Sequence, residues 1–199
     1  MKYFLSIDYG GTNTKAIVFD EEGRQLGQSA FSTKKIEEKA GYREVDLKET
    51  WQGIRQAMRQ AVKNAQLKAE DISALACIGH GKGLYLLDKN GQEFTRGILS
   101  TDERAVELAQ EFEERLDEIW DLTHQHVAAV QNPVLLRWFK EYEPEIYQNI
   151  GAILSAKDYV RFKLTGRIQQ EIGDASGNHW INFQTGTYAV SYTHLTLPT

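Results

Sequence analysis

Asp8 is followed by Tyr9 and then by Gly10-Gly11-Thr12-Asn13-Thr14-Lys15, an acid set before a run with almost no side-chain bulk. Successive backbone N–H groups in such a turn form a concave anion nest, and glycine supplies backbone angles that other residues resist. Thr12, Asn13 and Thr14 add hydrogen-bond donors and Lys15 adds a compact positive charge. Phosphate is the natural guest. A carboxylate at the strand end would repel that phosphate unless a cation stood between them. Mg²⁺ held by one or two carboxylates, waters and phosphate oxygens is the usual mediator. Asp8 is therefore a candidate metal ligand, and Gly10, Gly11, Thr12, Asn13 and Lys15 are candidate nucleotide contacts. The competing reading is a plain glycine turn that closes a hairpin.

A second small-residue stretch, "GHGKG", covers Gly79 to Gly83. It fails as a P-loop, because Gly83 stands where Ser or Thr should bind the metal, and it fails G-x-G-x-x-G, because Leu84 holds the last glycine position. Two readings remain: a strand-end turn, or a small-residue floor where a polar ligand meets His80 and Lys82. His124 and His126 have H-x-H spacing, but no further ligand-type cluster accompanies them, so a surface turn is the expectation.

These residues need elements to hold them. Lys2–Asp8 and Thr14–Asp20 read as strands rich in β-branched or aromatic residues, joined by the glycine tip; a turn at Glu21-Glu22-Gly23 leads to a third strand, Arg24–Phe31. Asp46-Leu47-Lys48-Glu49 has the form of a capping box, and Leu47, Trp51, Ile54, Met58, Ala61 and Val62 recur at helical spacing. Ile72–Gly79 and Leu84–Asp88 read as strands, with "DKNGQ" as the turn that follows. A helix is expected from Asp102, with Val106, Ala109, Phe112, Leu116 and Ile119 on one stripe. Another is expected from Asn132 as N-cap with Pro133 in its first turn. "GAILS" then reads as a strand and "AKDYVRFKLTG" as a helix closed by Gly166. A meander followed by alternating strand and helix describes an α/β protein, a mixed sheet with flanking helices.

Composition narrows the function. The 199 residues, 41% of them hydrophobic, suffice for one good core. Against 28 acidic residues there are 23 basic ones and no basic block to follow a phosphate backbone, so nucleic acid is not an expected partner. No apolar run reaches the ~18 residues of a membrane span. The single cysteine, Cys77, excludes a disulfide within the chain and fits a reducing cytoplasm.

Five stretches, "IDYGGTNTKAIVFDEEG", "GYREVDLKETW", "GILSTDERA", "AKDYVRFKLTG" and "GDASGNHW", occur in the order and at the separations of the N-terminal half of the FGGY carbohydrate kinases, which the chain resembles. The resemblance implies a ribonuclease H-like domain of the actin and Hsp70 type over residues 1–188, incomplete in this chain. It implies ATP and Mg²⁺ as cofactors, with Asp8 near the metal and Gly10, Gly11, Thr12 and Lys15 around the phosphates. The family's sugar loop falls on His80, Gly81, Lys82 and Gly83, and its acid-x-arginine segment on Asp102 and Arg104. Lys82 would then donate to sugar oxygens, and Arg104 would act as a fork or support. "GKGLYLLDKNG" and "ILSTDERA" resemble the L-xylulose kinase group, which implies a ketopentose or a related keto-sugar acid as substrate.

Members of that family are about twice as long, and the resemblance puts the general-base aspartate beyond residue 199; Asp174 matches an earlier segment and is not that base. This chain alone is therefore expected to be inactive, and homodimerisation of a full-length form stays open. The ROK sugar kinases, which also begin Asp-x-Gly-Gly-Thr, carry a cysteine-rich zinc segment that this chain lacks. A non-catalytic nucleotide-binding module of the actin or Hsp70 type is the alternative of a different class. The run "SYTHLTLPT" departs from the resemblance, and residues 190–199 are expected to be a foreign tail.

Overall fold

The computed structural model describes residues 1–189; the expected tail lies outside them. Three antiparallel strands, β1 (Tyr3–Tyr9), β2 (Asn13–Asp20) and β3 (Gln25–Ser32), open the chain. Their alternation is that of a half-covered sheet: in β1 Leu5, Ile7 and Tyr9 are buried, whereas Phe4 and Asp8 are exposed and Ser6 is half-buried. The β2–β3 turn is closed by the buried Asp20 carboxylate, which accepts from the Glu22 and Arg24 amides at 3.0 and 2.9 Å.

A two-residue strand β4 (Glu44–Val45) precedes helix α1 (Leu47–Asn64). Asp46 caps α1 by accepting from the Glu49 amide at 2.7 Å, and the buried face Leu47, Ile54, Ala57 and Ala61 lies against the sheet. Each fully buried leucine or isoleucine there contributes about 1.5–3 kcal/mol of apolar transfer. Strand β5 (Ile72–Gly79) then returns beside β1 in parallel, giving the sheet order β3-β2-β1-β5. The face of this sheet turned away from α1 is open: Phe4 is 38% and Ile78 59% exposed.

Strands β6 (Tyr85–Asp88) and β7 (Gly97–Ile98) follow, β7 pairing with β4. Helices α2 (Val106–Glu113), α3 (Trp120–Thr123), α4 (Asn132–Tyr142) and α5 (Pro144–Asn149) come next. Strand β8 (Ile150–Leu154) pairs with β6, and α6 (Ala156–Thr165), α7 (Ile172–Gly177), β9 (Ile181–Asn182) and β10 (Thr187–Tyr188) end the described chain. A second core of Leu84, Leu86, Val134, Leu135, Leu136 and Trp180 packs the helices onto β6. Among the described residues no helix is long and apolar enough to cross a membrane.

Two expectations differ. The helix expected from Asp102 starts only at Val106, because the Asp102 carboxylate is taken by the Arg43 and Arg104 amides (2.7 and 3.0 Å) rather than by a helix start. It also stops at Glu113, whose carboxylate turns out to accept from the Val127 amide at 2.8 Å; Leu116–Glu118 is a 3₁₀ turn instead. At α4 the N-cap is Gln131, and Asn132 is the first helical residue.

Candidate functional site

The register of β1 with its two neighbours fixes the site. Tyr9 pairs with Gly79 across the parallel β1–β5 ladder, and Asp8 pairs with Ile78. The hairpin after Asp8 and the loop after Gly79 therefore leave the sheet side by side, from the carboxyl ends of adjacent parallel strands, where open α/β sheets hold their ligands. The His80 amide donates to the Tyr9 carbonyl at 3.3 Å and ties the two loops at their bases.

In the hairpin, Asp8 and Lys15 are cross-strand partners, both exposed on the open face of the sheet. The tip is held by Gly10 N–H donating to the Asn13 carbonyl at 3.1 Å, Thr33 N–H donating to the Thr12 carbonyl at 2.8 Å, and Ser32 Oγ donating to Asn13 Oδ1 at 3.1 Å. The amides of Gly11 and Thr12 have no hydrogen-bond partner among the described residues. Neither Gly10 nor Gly11 has a positive φ, so the expected need for unusual backbone angles does not hold at either. A Cβ on Gly10 would lie 2.8 Å from the Asn13 carbonyl oxygen, whereas a Cβ on Gly11 would meet nothing within 4 Å. Gly10 permits a close turn; Gly11 leaves space above two unpaired donors. An exposed carboxylate, two unpaired amides and a lysine around empty space fit a metal-bound phosphate. A Mg²⁺ ion there would take one ligand from Asp8 and the rest from phosphate and water.

The second loop is built more tightly. Gly83 has φ +96°, and a Cβ there would lie 2.3 Å from the Ile98 carbonyl. His80 Nδ1 donates to the Lys82 carbonyl at 2.6 Å, and its Nε2 lies 3.0 Å from the Tyr85 hydroxyl. Burial holds the His80 ring below its ordinary pKa, which agrees with a neutral ring accepting at Nε2. The Tyr85 hydroxyl is in turn hydrogen-bonded to that of Tyr9 at 3.0 Å, and burial pushes the Tyr9 phenol up to about 12. A buried chain of polar groups thus joins the two loops beneath their backbones. The Lys82 ammonium, lowered in pKa by burial, donates to the Gly177 carbonyl.

Asp102 and Arg104 form a structural fork. Arg104 Nε donates to Asp102 Oδ1 at 2.9 Å and Nη2 to Glu44 Oε1 at 2.7 Å, with the Arg104 side chain 3% exposed. The guanidinium also lies 4.1 Å from the Tyr42 ring centroid and 5.1 Å from that of Trp138. Of these partners Glu44 belongs to β4 and Trp138 to α4, Tyr42 precedes β4 and Asp102 follows β7, and none comes from either loop.

Several residues outside the two loops also support the second of them. Asp174 and Ser155 lie behind the second loop: Ser155 Oγ is 2.7 Å from both Asp158 Oδ2 and Asp174 Oδ2, and Lys157 Nζ is 3.1 Å from Asp174 Oδ1. Burial raises the Asp158 carboxyl. Asn132 and Asn178 bond the loop's carbonyls. Their partners lie 49 and 97 positions away, beyond any local pattern. The H-x-H pair behaves as a loop: His126 Nδ1 bonds the Glu113 carboxylate, and no group of three or more metal-ligating side chains occurs among the described residues.

Comparison with known proteins agrees with this geometry. Residues 3–197 match the profile of the FGGY family of carbohydrate kinases, N-terminal domain. The chain is 37% identical over 190 residues to a probable L-xylulose kinase of Pasteurella multocida, covering 94% of this chain and 39% of that protein. It is 34% identical over 189 residues to the L-xylulose/3-keto-L-gulonate kinase of Escherichia coli, covering 94% of this chain and 38% of that one. The chain thus spans about two-fifths of these relatives. Among solved structures, Plasmodium falciparum glycerol kinase with ADP superposes with a TM-score of 0.86 at 19% identity, over 98% of this chain and 41% of that one. The architecture is that of the ribonuclease H-like ATPases to which actin and Hsp70 belong, present here in part.

Proposed function

The chain belongs to the FGGY family of carbohydrate kinases, and on that premise we propose that the complete protein transfers the terminal phosphoryl group of ATP to a hydroxyl of a ketopentose such as L-xylulose. The observation that carries this reading is the parallel pairing of Tyr9 with Gly79, which sets a phosphate-type hairpin beside a small-residue polar loop.

In this reading the hairpin binds the nucleotide through the Gly11 and Thr12 amides and Lys15, while Asp8 holds Mg²⁺. Bound there, Mg²⁺ supplies positive charge to the phosphate oxygens. The His80–Gly83 loop binds and orients the sugar. Transfer forms a bond from the sugar oxygen to the terminal phosphorus, breaks the bond from that phosphorus to the bridging oxygen of the leaving ADP, and delivers the hydroxyl proton to a carboxylate. Asp174 does not suit that last task, since Ser155 and Lys157 already engage both of its oxygens. The resemblance to the FGGY kinases puts the proton acceptor beyond residue 199, and on that ground this chain by itself is read as inactive. The setting is the cytoplasm, where sugars and ATP meet.

The test is ADP release by the protein carrying this chain at the length of its relatives, measured across keto-sugars that include L-xylulose and 3-keto-L-gulonate. Sugar-dependent release lost in Asp8→Ala supports the reading; turnover indifferent to every sugar overturns it.

A further inference from the structure

Most peptide groups of the second loop have a partner. The Gly81 carbonyl accepts from Asn178 Nδ2 at 2.9 Å, the Lys82 carbonyl from His80 Nδ1 at 2.6 Å, and the Gly83 carbonyl from Asn132 Nδ2. On the donor side, the Gly83 amide reaches the Val130 carbonyl at 2.9 Å and the Leu84 amide the Ile98 carbonyl at 3.0 Å. The amides of Gly81 and Lys82 have no partner among the described residues.

A trans peptide points its C=O and N–H in opposite directions, and no peptide bond described here is cis. With its carbonyl anchored inward on Asn178, the Gly81–Lys82 peptide must turn the Lys82 N–H away from Asn178, toward the open side of the loop. The Lys82 ammonium has meanwhile been drawn to the Gly177 carbonyl.

Asn178 is suited to this anchoring because it is an amide. It is fully buried and uses every polar atom: Nδ2 donates to the Gly81 and Asp174 carbonyls at 2.9 and 2.8 Å, and Oδ1 accepts from the Asn132 amide at 3.1 Å. Asn132 is equally buried, and its Oδ1 accepts from Trp180 Nε1 at 3.2 Å. A carboxylate at 178 would keep the shape, lose both donors and set negative charge against two carbonyl oxygens, so the peptide would lose its anchor.

We propose that the Lys82 main-chain N–H, and not the Lys82 ammonium, is the donor this loop offers to an oxygen of the acceptor sugar, with Asn178 as the positioning residue that aims it. The inference rests on reading the loop as the sugar contact. It replaces a flexible side-chain donor with a fixed one, whose direction selects among sugar hydroxyls that differ only in configuration.

The experiment is an L-xylulose titration of the uniformly ¹⁵N-labelled 199-residue chain and of its Asn178→Asp variant, following the backbone amides of residues 80–83 and the Lys82 ¹⁵Nζ signal. In the parent chain the Lys82 amide is expected to shift most within the loop. In the variant that shift should be lost and the Kd should rise about tenfold, the loss of ~1.4 kcal/mol. A parallel titration with Mg·ADP should move the Gly11 and Thr12 amides alike in both proteins, which a general loosening of the fold would not allow.

Equal Lys82 shifts in both proteins overturn the role of Asn178. A response at Nζ without one at the amide overturns the proposal while leaving the loop as the sugar contact. No response at residues 80–83 in the parent chain removes the sugar-loop reading, and the proposal with it. Should Asn178→Asp fail to fold, amide against Nζ in the parent chain decides the choice of donor, and Asn178→Ser, which keeps one donor, decides the role of the side chain.

Discussion

Asp8 and Lys15 face each other across the β1–β2 ladder, opposite charges on the same exposed face of the hairpin. On the proposed reading Asp8 without metal would repel a phosphate that Lys15 attracts, and with Mg²⁺ the sign of its contribution would reverse. Asp8→Asn should therefore weaken binding of Mg·ADP by about tenfold, yet leave binding of metal-free ADP unchanged or stronger. Calorimetric titrations with Mg²⁺ and with a chelator separate the two, and equal weakening in both would contradict a metal-bridging Asp8.

The two tip glycines should respond differently to alanine. Gly11→Ala meets open space and should keep stability within ~0.5 kcal/mol, while its methyl enters the region left for phosphate and lowers nucleotide affinity. Gly10→Ala presses on the Asn13 carbonyl and should lower both stability and affinity. Urea midpoints set beside ADP affinities check the contrast.

Arg104→Ala removes the charge partner of the buried Asp102 carboxylate, leaving it only the backbone amides of residues 43 and 104, and opens an aromatic gap between Tyr42 and Trp138. Breaking such a buried pair costs about 3–5 kcal/mol. Denaturant unfolding should show a loss of that order. Arg104→Lys should recover only part of it, because an ammonium cannot span Asp102 and Glu44 in one plane. A loss below ~1 kcal/mol would mean that the fork matters little to the fold.

His179 is fully buried and its pKa is pushed down by burial to about 4. The unfolded chain takes up that proton near pH 6.5 and the folded chain does not. Stability conferred by the neutral ring is thus present above pH 6.5 and declines as pH falls toward 4. The loss between pH 6.5 and 5 should be roughly 2 kcal/mol. His80, also lowered by burial, acts in the same direction. Urea titrations at the two pH values, repeated on His179→Gln, should show a shallower slope for the variant.

Local signals were legible wherever a pattern repeats within a few residues. The three opening strands, the Asp46 cap of α1, the turn after Asp88 and the Gly166 stop of α6 lie where propensity and periodicity place them. Legibility failed where a polar side chain serves a distant partner. Asp102 looked like the start of a helix, but it serves Arg43; Asn132 looked like a cap, but it holds Gly83. The glycine tip was recognisable from its residues alone, although Gly10 is needed for clearance and neither glycine for a left-handed angle. The polar framework behind the second loop, drawn from α6, α7 and the start of α4, falls in part on the stretches "AKDYVRFKLTG" and "GDASGNHW" that carry the resemblance, but its contacts follow no local spacing, because they exist only once those elements have packed.

The parallel pairing of β1 with β5 also governs when the site comes into being. The hairpin can close on its own within microseconds, since its strands are consecutive. The neighbouring loop cannot join it until Gly79 has been brought back to Tyr9 across about 70 residues, a closure whose entropy must be met before any contact rewards it. Half of the candidate site is thus an early product of folding and the other half a late one, and a ligand that touches both would be a reporter of the last step rather than the first.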